Sequence, residues 1–182
     1  MLKTKRLIIR QWKKKDVSDF AEMSRDPLVM EYFPELLSEQ QSAEVADKIQ
    51  ALIQQRGWGF WAVELPEQAR FIGFAGLHIP KDSLPCSPCV EIGWRLASSY
   101  WNKGYATEAA NAALRYAFST LQLDEVVSFT SLKNIRSQSV MQKIGMQNSG
   151  RNFHHPDIDI EHPLSEHVLY TITKDDWLKF NL

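Results

Sequence analysis

Residues 38–57, SEQQSAEVADKIQALIQQRG, set Ala43, Ala46, Ile49, Leu52 and Ile53 three or four places apart, which draws one apolar stripe along an α-helix. Ser38 stands where an N-cap belongs, and Gly57 falls just past the last turn. Before it, RLIIRQW (6–12) alternates about an apolar centre and predicts a strand. KKDVSDFAEMSRDP (14–27) begins at an acidic, cappable turn and stops before Pro27, predicting a helix or a broken helix pair. After the clear helix come two aromatic-rich strands, WGFWAVEL (58–65) and RFIGFAGLHI (70–79), joined by the turn-like PEQA (66–69). A proline-bearing loop leads to the strand CVEIGWRLA (89–97), and a glycine-marked helix follows from about 104 to 120. DEVVSFTSL (124–132) reads as a strand, NIRSQSVMQKIG (134–145) as a short helix closed by Gly145, and EHVLYTIT (166–173) as a last strand. Hairpins in the middle and crossover helices later require an α/β fold with a mixed sheet.

Length and composition narrow the class. A chain of 182 residues suits one domain, 1–182, and 44% hydrophobic with 24% charged residues argues against disorder. The formal charge of −1 removes the electrostatic basis for general nucleic-acid binding, so no nucleic-acid partner is expected. No run of about 18 apolar residues and no signal-peptide pattern stand in the sequence, so no membrane partner and a cytoplasmic location are expected. Cys86 and Cys89 form a single C-x-x-C held between Pro85 and Pro88. A structural zinc site needs four ligands and no second pair exists, so two loop thiols are expected and no metal.

Three places carry candidate chemistry. In YWNKGYATEAANAAL (100–114), Gly104 and Ala106 straddle a helix start, where free N–H groups and the helix dipole favour an anion such as phosphate. Small side chains there serve tight helix-on-sheet packing equally well. A nucleotide-triphosphate loop is a poor fit, since the G-x-x-x-x-G-K-[ST] spacing is absent. In CVEIGWRLA, regular alternation sends Val90, Ile92, Trp94 and Leu96 to one face and Glu91, Gly93 and Arg95 to the other. Gly93 marks a bulge, a close approach or a packing glycine. Glu91 can serve as a general base, or it can sit in a salt bridge with Arg95. Asn134 and Ser137 occupy the N-cap and third helical position of the short helix.

Taken jointly, EIGWRL, YWNKGYATEA and NIRSQSVMQKIGM resemble the GNAT family of acetyl-CoA-dependent N-acetyltransferases, and within it the ribosomal-protein N-terminal acetyltransferase-like branch. The likeness runs from TKRLIIRQW to HVLYTIT. It implies a mostly antiparallel central sheet flanked by helices on both faces, with a splayed parallel strand pair at the cofactor site. It further implies acetyl-CoA as co-substrate and direct attack by a primary amine in a ternary complex. The acceptor would be a protein N-terminus or a small amine such as a polyamine, an aminoglycoside or an amino acid, and a non-catalytic acyl-CoA sensor is the rival of a different kind. A monomer or homodimer is expected.

The resemblance also distributes roles. The turn of Trp101, Asn102, Lys103, Gly104, Tyr105 and Ala106, with Thr107, would bind pyrophosphate through main-chain N–H groups. Gly93, Trp94, Arg95 and Leu96 would flank the pantetheine arm, and Asn134 would contact the cofactor. Glu91 would be the base and Ser137 the acid at the leaving thiolate, since Met141 stands where many relatives have a tyrosine. Trp101 and Asn102 depart from the usual glutamine or arginine and glycine. Tyr32, Phe33 and Trp58 fall in segments that wall the acceptor cleft of similar proteins, although such aromatic residues are more often core than site. The loop NFHHPDIDIEHPLSEH (152–167) would overhang that cleft, with Asp157 and Asp159 attracting a cationic acceptor.

Overall fold

A computed structural model describes residues 1–68 and 70–180. The chain runs β1 (Leu2–Lys3), β2 (Ile8–Arg10), α1 (Asp16–Ser24), α2 (Glu39–Arg56), β3 (Phe60–Leu65), β4 (Arg70–His78) and β5 (Glu91–Leu96). It continues through α3 (Tyr105–Ser119), β6 (Glu125–Ser131), α4 (Ile135–Lys143), β7 (Gln147–Asn148), β8 (Phe153–His154), β9 (Glu166–Thr173) and α5 (Lys174–Phe180). The expected turn at 66–69 is a short 3-10 turn over Pro66–Gln68, and its last residue, Ala69, lies outside the described residues.

Helix α2 forms on its apolar stripe. The Ser38 side chain accepts from the Gln41 N–H (3.2 Å), the Gln41 side chain accepts from the Ser38 N–H (2.8 Å), and Gly57 ends the helix at φ 80°. The first segment differs from its reading as one strand over 6–12. Only Ile8–Arg10 joins the sheet, because Trp12 leaves it to seat its indole in the core and donates to the Phe60 carbonyl (2.8 Å). The acidic turn at the start of α1 is not a side-chain cap on the helix. Asp16 is fully buried and accepts from Lys13 N–H (2.7 Å) and from the Arg10 guanidinium (2.6 Å). Arg10 also donates to Glu64 on β3 (2.7 Å), so one buried cation ties β2, β3 and α1 together.

The strand order is β1-β2-β3-β4-β5-β6-β9-β7, with β8 also on β9. Every neighbouring pair is antiparallel except β5 and β6. This is the mixed, mostly antiparallel sheet expected of the sequence. Between Val63 and Glu64 the β3–β4 register slips and leaves Ile72 unopposed. That extra residue brings Phe71 and Phe74 to the same face, where both rings meet Trp12 at 5.1 and 6.2 Å. Phe60 and Phe20 complete this cluster under α1, while Trp61 faces the opposite way and meets Tyr116 of α3 at 5.2 Å. Helices therefore cover both faces. On the α3 side, Ala109, Ala110, Ala113 and Ala117 are fully buried, so these alanines serve close helix-on-sheet packing. Among the described residues no helix is long and apolar enough to cross a membrane.

Removing the buried cation while leaving its two carboxylates should be severe. Arg10→Met is expected to lower the unfolding free energy by about 3–5 kcal/mol, the scale for breaking a buried ion pair. Urea titration checks this, and a loss below about 1 kcal/mol would show that the pair is dispensable.

Candidate active site

Strands β5 and β6 share a single register pair, Glu91 with Val127. Val127 N–H donates to the Val90 carbonyl (2.9 Å), and one step further Ser128 Oγ donates to the Ile92 carbonyl (2.9 Å). Beyond that the strands part. Peptide direction alternates along a strand, so the carbonyls of Val90 and Ile92 facing β6 place the N–H and C=O of Trp94 in the opening. The Leu96 carbonyl is taken by the indole N–H of Trp101 (2.8 Å). A cavity of about 840 Å³ fills the wedge and extends over the sheet. The Ser131 hydroxyl on its wall is buried without a hydrogen-bond partner.

One end of the cavity is the turn before α3. Asn102 and Gly104 both adopt left-handed backbone, φ 59° and 79°. Asparagine tolerates that conformation better than most residues, which accounts for Asn102 where a glycine would otherwise serve. The first N–H bonded back into the helix is that of Glu108, to Gly104 (3.0 Å), so the N–H groups ahead of it are free of the helix. The turn is braced from the N-terminal segment. Arg6 donates to Glu108 (2.7 Å) and to the Lys103 carbonyl (2.9 Å), Thr4 donates to Glu108 (2.6 Å), and the Arg6 guanidinium lies 4.6 Å from the Tyr105 ring centroid. Free N–H groups in a doubly left-handed turn at a helix N-terminus are suited to an anion.

Glu91 stands at the root of the wedge, half-buried, where desolvation pushes its carboxyl up to about 8. It forms no ion pair with Arg95 among the described residues. The two Cα atoms are about 13 Å apart along the strand. Gly93, between them on the same face, is neither a bulge nor left-handed, since the register slip lies in β4. A Cβ at Gly93 would press on the Phe60 ring at 3.1 Å and reach Glu91 Oε1 at 3.5 Å, so glycine keeps the Glu91 face open. Across the wedge, Asn134 caps α4 by accepting from Ser137 N–H (3.1 Å) and donates to Thr130 (3.0 Å). Ser137 lines the cavity with a hydroxyl that makes no hydrogen bond among the described residues, whereas Met141 is buried in the core.

Tyr32 and Phe33 reach the far wall from the 25–37 loop, and Phe60 and Phe74 floor it. Three of the residues expected here are placed elsewhere. Trp58 packs beneath Arg56, whose guanidinium is 5.9 Å from its ring centroid. The Lys103 ammonium turns back to the Ser99 carbonyl (2.9 Å). Asp159 accepts from the Glu161 N–H (2.9 Å) within its own exposed loop. Asp157 does line the cavity, but its carboxylate is paired with Lys81 (2.7 Å). Two histidines of this loop, His155 and His167, pack with aromatic rings, while His154 pairs with Ser165 (3.1 Å) and His162 accepts from the Leu164 N–H (3.2 Å). Phe129, Phe153, His155 and His167 form one cluster, with His155 and His167 at 5.1 Å, and burial lowers the pKa of both imidazoles. No group of three or more His, Cys, Asp or Glu able to hold a metal occurs among the described residues. Cys86 and Cys89 are free thiols whose Sγ atoms lie 3.5 Å apart, and burial pushes Cys89 up to about 12.

Two wall residues, Phe129 and Arg136, were not singled out from sequence, whereas Phe74 and Phe60 stood in the aromatic-rich stretches RFIGFAGLHI (70–79) and RGWGFW (56–61). The facing of these three rings depends on the bulge and on pairing. Arg136 forms an ion pair with Glu31 and lies 4.7 Å from the Trp101 ring centroid and 5.6 Å from that of Tyr32. Its position one residue before Ser137 on a capped helix was the only local signal for it.

Comparison with known proteins agrees with this geometry. The model of the acetyltransferase (GNAT) domain matches residues 6–147. An uncharacterized N-acetyltransferase of Bacillus subtilis, YnaD, is 32% identical over 175 residues, 96% of this chain and 97% of that protein. A GNAT-family acetyltransferase from Bacillus anthracis superposes with a TM-score of 0.79 at 27% identity, covering 95% of this chain and 98% of the other. Spermidine N-acetyltransferase from Vibrio cholerae, solved with CoA and spermine, shares the fold with a TM-score of 0.74 at 18% identity over 96% and 99% of the two chains. The chain belongs to the GNAT family of acetyltransferases.

Proposed function

We propose that this acyltransferase moves the acetyl group of acetyl-CoA to a primary amine by direct attack within a ternary complex. The observation that carries the reading is one continuous cavity. It joins an anion-binding turn, an open strand wedge with unpaired main-chain groups and a carboxylate of raised pKa. Acetyl-CoA supplies a thioester as acyl donor. The free N–H groups of residues 102–107 would hold its pyrophosphate, and the Trp94 main chain and Ser131 hydroxyl would pair with its pantetheine arm. Asn134 gives the acid end of the site its shape through the α4 cap.

Glu91 would take the proton of the acceptor ammonium, directly or through one water, and so must first be ionised. Ser137 would hold a proton at Oγ for the departing thiolate. A main-chain N–H on β5 would polarise the carbonyl, and placement of the two reactants would supply most of the rate. The acceptor we favour is a protein N-terminus, from the resemblance to the ribosomal-protein branch. A small amine is the second reading, supported by the fold shared with the spermidine enzyme. Thiol release with N-terminal peptides and with polyamines distinguishes the two, and no release with any amine points to an acyl-CoA sensor.

Glu91 sets two pH dependences. As a base it works in its deprotonated form, so kcat/KM should rise with pH toward a plateau above about 8, and Glu91→Gln should lower kcat by about 10²-fold and flatten that limb. Because the folded state raises this pKa from 4.5 to about 8, the stability linked to it is fully present at low pH and is lost as pH rises through about 8. Wild-type Tm should therefore fall more from pH 5 to pH 9 than that of Glu91→Gln; parallel Tm curves would contradict the burial of the carboxyl.

Gly104→Val should weaken acetyl-CoA binding by about 1–3 kcal/mol, through strain at a left-handed position and lost turn hydrogen bonds. Calorimetry on the folded variant measures this, and unchanged affinity removes the turn from the binding site. Ser137→Ala should lower kcat by about tenfold or more with acetyl-CoA affinity unchanged, because its proton matters only as the thiolate leaves. Equal kcat in the two proteins would exclude Ser137 as the acid.

A further inference from the structure

The cavity wall holds an arginine with no ion pair among the described residues. Arg95 projects from β5 on the same face as Glu91, toward the 25–37 loop, and lines the cavity. Its guanidinium lies 3.9 Å from the ring centroid of Phe33 and 5.5 Å from that of Phe74. Nε and Nη1 are buried and have no hydrogen-bond partner among the described residues. The other arginines of the site are engaged, Arg6 with Glu108 and Arg136 with Glu31. Burial lowers the Arg95 pKa to about 10, still far above neutrality, so the group remains charged.

Aromatic faces stabilise a cation but accept none of its N–H bonds, and a buried charge without them is costly. An arginine kept only to brace a fold donates to carbonyls or carboxylates, as Arg10 does. Arg95 does neither, which leaves a planar fork of donors suited to a carboxylate and covered by Phe33, a 39% exposed ring on a loop.

We infer that Arg95 recognises the acceptor, and that the acceptor is a primary amine bearing a carboxylate about 10 Å, or roughly three extended residues, from the reacting nitrogen. The span follows from the strand: Glu91 and Arg95 are four residues apart on one face, about 13 Å between Cα atoms, and the slanted hydrogen bonds of the amine to Glu91 and of the carboxylate to Arg95 take up about 3 Å of that. The inference rests on the acetyl-transfer reading for the position of the amine. The carboxylate can belong to an acidic side chain near a peptide N-terminus or to a small amino acid of the same span.

Matched probes separate these sources. One pair is the amidated tetrapeptides Ser-Ala-Glu-Ala and Ser-Ala-Gln-Ala, and the other is ω-aminooctanoate and its amide. Calorimetry with free CoA present reads binding without turnover, and thiol release from acetyl-CoA reads turnover. In at least one pair the carboxylate member should bind about tenfold more tightly than its neutral partner, the scale of a hydrogen-bonded ion pair. The pair with the larger gap names the source. In Arg95→Gln the gap should close while CoA affinity stays within about twofold, and in Arg95→Lys part of the gap should return. Circular dichroism establishes that each variant is folded, and the lysine variant carries the test if the glutamine variant is not.

No gap in either pair overturns the inference, as does a gap that survives Arg95→Gln. So does a loss of CoA affinity in place of acceptor affinity, which would assign Arg95 to the donor. The two readings fail separately. A gap without thiol release overturns acetyl transfer and leaves the anion site standing, and thiol release without a gap does the reverse.

Discussion

Two parallel strands that pair once and then diverge leave buried peptide groups facing each other across a gap too wide for a hydrogen bond. Such groups must find partners, and in this protein the chain supplies only some of them. Ser128 takes the Ile92 carbonyl and the Trp101 indole takes that of Leu96. Between these two plugs lie the Trp94 peptide groups and the orphaned Ser131 hydroxyl. The cavity is the geometric consequence. Its length is set by where β5 and β6 part, and its ends by the elements that follow each strand.

The rest of the molecule holds those strands apart. On one side α3 packs its buried alanines closely on β4 and β5, and its N-terminal turn is pinned by Arg6, which reaches Glu108 and the Lys103 carbonyl together. On the other side β6 is paired along its whole length with β9, so it cannot close back onto β5. The Arg10 network and the Trp12 cluster fasten the opposite end of the sheet under α1. The rigid parts of the site are thus strand and helix. The remaining wall of the cavity is loop, the 25–37 segment with Tyr32 and Phe33 and the 152–165 segment with His155 and Asp157.

Glu91 and Arg95 define the electrostatics of this space. They share a face, make no side-chain hydrogen bond or ion pair among the described residues and are shifted by the same cause, burial, which raises the acid and lowers the base. Each would be less perturbed if it reached the other. The pleat prevents that by holding them four residues apart with Gly93 between, and the aromatic floor of Phe60 and Phe74 gives neither an oxygen nor an N–H. A site of this kind is poised for a ligand that carries both charges.

What the sequence determined by itself was local. The Ser38 cap, the α2 stripe, the Gly57 terminator, the Gly104 helix start and the Asn134 cap each involve residues within four places of one another, and each formed as read. The mixed sheet followed from the order of strands and helices, and the joint motif on β5, α3 and α4 pointed to the family. The two-residue strands β1, β7 and β8 left no periodicity to read, and the slip at Ile72, which turns Phe71 and Phe74 to one face, is invisible to a period of two. Tertiary structure alone decided the charges. The Glu91–Arg95 salt bridge that spacing allowed did not form. Asp16 went to Arg10 instead of capping its helix, and Asp157 found Lys81 across 76 positions of chain. A side chain's partner is chosen by which surfaces the fold brings together, and at that range no local pattern in the sequence carries the information.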